Sequence, residues 1–252
     1  MKIDLSNSSV LVTGASRGIG RAVAERLASA GARVGVHYHR NAEGAERLAQ
    51  GLGRGALPFG ADLGDAAACQ RLFAEALAAF GRIDVLVNNA GVAILSPLEA
   101  PLDDWVCDWD RTQAVNLRAA GVLCREAVRH FLDIGGGRIV NIASRAAFRG
   151  DSVDFLAYAA SKGGMVALSR SIARGYGKRG VKAFVVAPGF VRTDMAQDFI
   201  DQYGEGIAVG DLALNELTVP ADVAPTVVFL ASGLADHTTG CTVDVNAGSY
   251  VH

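Results

Sequence analysis

Apolar residues along this chain follow two rhythms. Short apolar runs at 10–13, 34–38, 56–59, 84–87, 138–142, 182–186 and 242–245 read as β-strands, each only a few residues long. Between them the spacing changes to three and four. Ile19, Val23 and Leu27 make one helix face that Gly31 ends, and Leu72, Phe73, Ala76, Leu77 and Phe80 make another that Gly81 closes. A further helix is expected over 42–52, and two long helical stretches over 102–132 and 155–178. Strands alternating with helices predict an α/β protein with one doubly wound parallel sheet, covered by helices on both faces. No internal repeat, low-complexity tract or linker-like change of composition divides residues 1–252, so a single domain is expected.

Composition agrees with a globular chain. Half of the residues are apolar and 20% are charged, which allows a sizeable core. The formal net charge of −2 offers no basic surplus for nucleic acid. Cys69, Cys107, Cys124 and Cys241 lack CxxC spacing, so neither a zinc site nor a redox motif is indicated. The first ten residues lack a signal-peptide core, and no apolar run reaches the ~20 residues of a membrane span. A soluble protein of a reducing, cytoplasmic compartment is expected.

Candidate chemistry begins with Tyr158 and Lys162 in YAASK. Residues four apart share a helix face, so the ammonium can stand near the phenol. A nearby cation favours the phenolate and lowers the tyrosine pKa, which makes a general acid/base usable near neutral pH. The spacing alone is common, but Ser144 lies fourteen residues upstream and the chain opens with TGASRGIG. That loop spaces its glycines as Gly14-x-x-x-Gly18-x-Gly20, different from GxGxxG. Its place after the first strand and before the first amphipathic helix favours a phosphate site at a helix N-terminus.

Taken together, these residues carry a resemblance. The chain resembles the short-chain dehydrogenase/reductase family essentially end to end: TGASRGIG, Asp62 after the third strand, NNAG at 88–91, Asn116 in AVNLRAA, Ser144 in NIASRAA, YAASK, PGFVRTDM at 188–195 and VDVNAG near the C-terminus. The resemblance implies a Rossmann fold and a catalytic tetrad of Asn116, Ser144, Tyr158 and Lys162. In that scheme Tyr158 gives a proton to a carbonyl oxygen while a nicotinamide gives hydride to its carbon. Ser144 hydrogen-bonds the same oxygen. Lys162 holds the nicotinamide ribose and lowers the tyrosine pKa, and Asn116 helps anchor a water leading from Lys162 to solvent.

The same resemblance assigns the cofactor site. Gly14, Ser16, Arg17, Gly18, Ile19 and Gly20 form the phosphate loop; Asp62 and Leu63 meet the adenine; Asn88, Ala90 and Gly91 support the ribose side. Pro188, Gly189, Val191 and Thr193 line the nicotinamide end, with Tyr158 and Lys162. An acidic residue suits a ribose 2′-hydroxyl, whereas arginine suits a 2′-phosphate. After the second strand come His39 and Arg40 with no acid, and Arg17 is the second cation in range, so the expected cofactor is NADP(H).

Among branches of the family the motifs are most similar to 3-oxoacyl-[acyl-carrier-protein] reductases, which implies an acyl-thioester substrate and acyl carrier protein as a partner. Arg174 stands at one basic docking position, but Gly135, between glycines, stands at the other. The segment from Ser144 to Tyr158 is one residue longer than usual and brings Arg145 and Arg149 beside the site, where they could meet an anionic group or be paired on the surface. A 3-oxoacyl thioester is the first expectation; a ketone, sugar, polyol or ketoacyl-CoA substrate stays open beside it, with oxidation of a sugar or polyol as the alternative. A non-catalytic nucleotide sensor is the reading of another class. The glycine-containing stretch 196–217 is expected to form a lid. Trp105 and Trp109, four apart, are expected in core or interface packing. Val106, Val115, Val122, Met165 and Leu168 are expected between the subunits of a homotetramer.

Overall fold

The computed structural model describes residues 3–193 and 209–251. Seven parallel strands form one sheet: β1 (Ser9–Val12), β2 (Arg33–Tyr38), β3 (Leu57–Gly60), β4 (Val85–Asn88), β5 (Gly137–Ile142), β6 (Val181–Pro188) and β7 (Thr242–Val245). Their order across the sheet is β3-β2-β1-β4-β5-β6-β7. The order reverses between β1 and β4, where Val12 registers with Val87, and a crevice opens there at the strands' carboxyl ends.

Both faces are covered because the strands are apolar on both. Val10 and Val12 face one core, with residues of α1 (Gly18–Ser29) and α2 (Ala42–Leu52). Leu11, one residue out of phase, faces the other, with α3 (Ala66–Phe80), α5 (Ala119–Asp133) and α7 (Leu156–Tyr176). The remaining α-helices among the described residues are α4 (Leu102–Gln113), the single turn α6 (Ala146–Arg149) and α8 (Pro220–Ala231). No helix among the described residues is long and apolar enough to cross a membrane.

The structure departs from the expected elements in three places. The stretch 102–132 is not one regular helix: a π-helical turn, Ala114–Arg118, separates α4 from α5 and carries Asn116. Helix α8 was not anticipated, because its stripe is short and Pro225 lies inside it, although Pro220 at its first turn and Asp222, whose carboxylate accepts from the Val219 N–H at 2.7 Å, are start signals. Met165, expected between subunits, is 1% exposed inside the chain's own core beside Ala143 and Val185. Trp105 and Trp109 stack on each other with ring centroids 5.1 Å apart. Of the expected lid over 196–217, residues 196–208, including Phe199, Ile200, Gly204, Gly206 and Ile207, lie outside the described residues; Gly210 is described and exposed.

Candidate active site

The loop after β1 turns on two glycines in left-handed conformation, Gly14 at φ 62° and Gly18 at φ 54°. A side chain at Gly14 would sit 2.9 Å from the Ala90 Cα, and one at Gly20 would sit 2.3 Å from the Gly14 carbonyl oxygen. The loop is tied to the chain after β4. Thr13 Oγ1 accepts from the N–H groups of Asn89 (2.9 Å) and Ala90 (3.0 Å), while Asn89 Nδ2 donates to the Thr13 and Gly14 carbonyls. Helix α1 then starts at Gly18 with no side-chain cap from Arg17, its N-cap, so its N-terminus can receive an anion. Ser16 and Ile19 are half-buried there and Arg17 is exposed. This glycine-walled loop at the sheet's switch point fits the pyrophosphate of a dinucleotide.

Around the loop the other expected cofactor residues gather. His39 and Arg40 are exposed just beyond β2, and His39 Nε2 lies 3.7 Å from Asp62 Oδ2 after β3. Leu63 is buried beneath them. Thr193 comes to the loop from β6, its Cγ2 3.5 Å from where a Gly18 side chain would begin. Gly189 packs on Asn246, and Val191, which is buried, bridges to Thr218. Pro188 closes β6, and its carbonyl accepts from the Arg145 N–H at 2.9 Å. Asn88 is turned elsewhere: its amide donates to Asn141 Oδ1 at 2.8 Å in a buried chain that continues to Ser169. The asparagine that holds the glycine loop is the next one, Asn89.

The tetrad residues meet at the end of β5. Lys162 and Tyr158 share a face of α7, with Nζ 5.7 Å from the tyrosine ring centroid. Lys162 Nζ donates to the Ile142 carbonyl at 2.8 Å, leaving its other donors for a ligand. Asn116 is fully buried; its Oδ1 accepts from the Val92 N–H, and its Nδ2 donates to the Val92 carbonyl and to Ser161 Oγ. Both amide N–H groups are thus committed, and Asn116 acts by fixing the backbone around it. Gly91 leaves the opening between these groups: a side chain there would begin 3.3 Å from Asn116 Oδ1 and 3.4 Å from Lys162 Nζ. Ser144 Oγ accepts from the Ala146 N–H at 3.1 Å, which frees its proton to face Tyr158.

Burial dominates the titration of this cluster. It pushes the Tyr158 pKa up, a hydrogen bond with Ser144 pulls it back, and the charge of Asp151 adds to the rise. Burial alone brings Lys162 down to about 8. The expected depression of the phenol by Lys162 is therefore not what this structure displays, because each group resists being charged in a desolvated site.

A family model described as short chain dehydrogenase matches residues 8–204. The chain is a short-chain dehydrogenase. Relatives of this dehydrogenase carry more than one activity. The D-threitol dehydrogenase of Mycolicibacterium smegmatis is 39% identical over 97% of this chain and 93% of its own length. A 3-oxoacyl-[acyl-carrier-protein] reductase of Salmonella typhimurium is 36% identical over 96% of both. The solved short chain dehydrogenase of Burkholderia cenocepacia in complex with NADP shares 35% identity, with a TM-score of 0.89 over 97% of this chain and 98% of that one.

The two arginines beside the site are paired. Arg145 and Arg149 both reach Asp211 Oδ2, at 3.1 and 2.6 Å, so this loop is tied to the distant segment that carries Asp211. Gly135 is in left-handed conformation in an open turn. The nearest cations in sequence are Arg138, held by two bonds to Asp236, and Arg129, which pairs with Glu126. Residues missed by the sequence reading are Thr13, His37, Asn89, Val92 and Ser161. Thr13, Asn89 and Ser161 stood in the quoted TGASRGIG, NNAG and YAASK motifs, whereas His37 and Val92 act through partners far along the chain.

Proposed function

We propose that this dehydrogenase interconverts a ketone and a secondary alcohol with NADP(H), in one domain that holds both cofactor and substrate. The carrying observation is that Ser144, Tyr158 and Lys162 converge beside the Gly91 opening, at the mouth of a glycine-walled crevice. Bound in that crevice, the nicotinamide supplies or accepts the hydride. Tyr158 protonates the carbonyl oxygen in reduction and takes the proton back in oxidation. Ser144 donates to the same oxygen as charge develops on it. Lys162, anchored on Ile142, turns its free donors to the nicotinamide ribose and returns the proton to Tyr158. Asn116 keeps Val92 and Ser161 in place around this path. The raised phenol pKa suits the acid role, since the proton to be donated is present at neutral pH. For the cofactor, Arg40 and Arg17 are the two cations at the adenosine end, and this pair supports a 2′-phosphate.

For the substrate we infer a small polyol and its ketose, the class of the threitol dehydrogenase relative. The supporting observation is that the turn at Gly135 presents no unpaired cation from Arg129 or Arg138 to an acidic carrier protein. A 3-oxoacyl thioester is the second reading, supported by the reductase relatives and by exposed Arg174. A homotetramer that covers exposed Leu102 and Val106 on α4, in the cytoplasm, completes the reading. The test follows nicotinamide absorbance with NADP+ and a four-carbon polyol, and with NADPH and acetoacetyl-CoA. Turnover of the polyol alone supports the first reading, turnover of the thioester alone the second, and turnover of neither despite bound NADPH removes both.

A further inference from the structure

His37 is a buried imidazole, 1% exposed, the second-to-last residue of β2 at its crevice end. Both ring nitrogens are engaged, each with the backbone of a different loop. Nδ1 lies 3.0 Å from the Gly14 nitrogen and Nε2 lies 3.1 Å from the Ala61 carbonyl oxygen. A backbone N–H can only donate and a carbonyl can only accept, so Nδ1 carries the lone pair and Nε2 the proton. The ring is neutral; burial brings its pKa down to about 4. The main chain of His37 continues the clamp, as its carbonyl accepts from the Ala15 N–H at 2.9 Å. One residue therefore captures two successive amides of the glycine turn and the corner that precedes Asp62.

We propose that His37 is a positioning residue for the dinucleotide: it sets the Gly14 turn and the Ala61–Asp62 corner at the spacing that receives the cofactor, without touching cofactor or substrate itself. The proposal rests on the cofactor reading of the glycine loop. Its physical basis is the left-handed Gly14. A Cβ on that residue would sit 2.9 Å from the Ala90 Cα, so the turn has little room, and its N–H direction is fixed by the imidazole. With no acceptor at that point, the Gly14 amide would be buried without a partner and the turn would rotate to relieve it. The amides that follow would then leave the anion-binding arrangement. No contact between His37 and the tetrad exists among the hydrogen bonds of the described residues, so the effect falls on binding ahead of chemistry.

The test exploits side-chain shape. The amide oxygen of Asn can replace Nδ1, and the amide nitrogen of Gln can replace Nε2–H. NADPH affinity by fluorescence titration, kcat, cofactor KM and thermal midpoint are measured for H37N, H37Q and H37F. The expected result for H37F is NADPH affinity weakened about tenfold, the scale of one backbone hydrogen bond lost, with cofactor KM raised more than kcat falls. H37N should recover affinity to within about threefold, while H37Q should not. If H37F does not fold, the H37N–H37Q contrast decides. Unchanged affinity in H37F, or H37N binding as weakly as H37F or H37Q, overturns the proposal. A wild-type protein that binds neither NADPH nor NADH removes the cofactor reading itself, a failure distinguishable from that of His37.

Discussion

Asn116 and Val92 form a two-point pair: the Val92 N–H donates to Asn116 Oδ1 at 2.8 Å, and Asn116 Nδ2 returns a bond to the Val92 carbonyl at 2.9 Å. The asparagine supplies to an irregular segment what a neighbouring strand would otherwise supply. It can do so because the π-turn, with one extra residue in its ladder, presents Asn116 inward. Asn116→Ala strands both Val92 groups and the Ser161 contact in the interior. A stability loss of about 2–4 kcal/mol is expected from two unpaired backbone groups, with kcat lowered more than cofactor affinity. Chemical unfolding and steady-state kinetics check it, and a variant with wild-type stability would show that Val92 finds other partners.

Tyr158→Phe removes only the phenolic oxygen and leaves the ring that lies 5.7 Å from Lys162 Nζ. Turnover should fall by at least about 100-fold, the scale of a lost general acid, while NADPH affinity stays within about threefold. Single-turnover absorbance and a binding titration read the two separately. Full activity in this variant would dismiss the proposed proton path.

Arg40→Asp puts a carboxylate where the ribose 2′-phosphate is expected. Loss of a charge-assisted contact amounts to about 1.5–3 kcal/mol, so kcat/KM for NADPH should drop at least about tenfold and that for NADH should change far less. Parallel assays with the two cofactors check this. An equal drop with both would assign Arg40 a role other than reading the phosphate.

Lys162 gives a pH prediction with a definite sign. Folded, it loses its proton at about 8, whereas its ordinary value is 10.5. Within that window the unfolded chain binds more protons, so this group's contribution to stability rises with pH. Below the window both states are protonated and the full cost of the buried charge is present. Denaturant unfolding of wild type and Lys162→Met at about pH 7 and about pH 10 should therefore show the wild type gaining on the variant, by up to about 3 kcal/mol. A difference independent of pH would mean that the lysine charge is better solvated than its 3% exposure suggests.

Much of this protein was settled by the chain's local pattern. The short apolar run of β1 and the recurrence of Ile19, Val23 and Leu27 on α1 are properties of neighbouring residues, so strands, helices and their alternation could be read directly, to within a residue or two at strand ends. The glycine loop, YAASK and Ser144 were legible for the same reason: their chemistry needs fixed spacing in one segment. What only the tertiary structure decided involves groups distant in sequence. Histidine at 37 reads as a strand residue until Gly14, 23 positions away, and Ala61, 24 away, supply its partners. Arg138 looks available until Asp236, 98 positions on, takes it. The π-turn interrupts a stretch whose polar and apolar positions still resemble one helix, and the Val92 partner of its Asn116 lies 24 positions away. Hydrophobic periodicity records which face of an element is buried, whereas hydrogen-bond satisfaction in the interior depends on which elements the fold brings together.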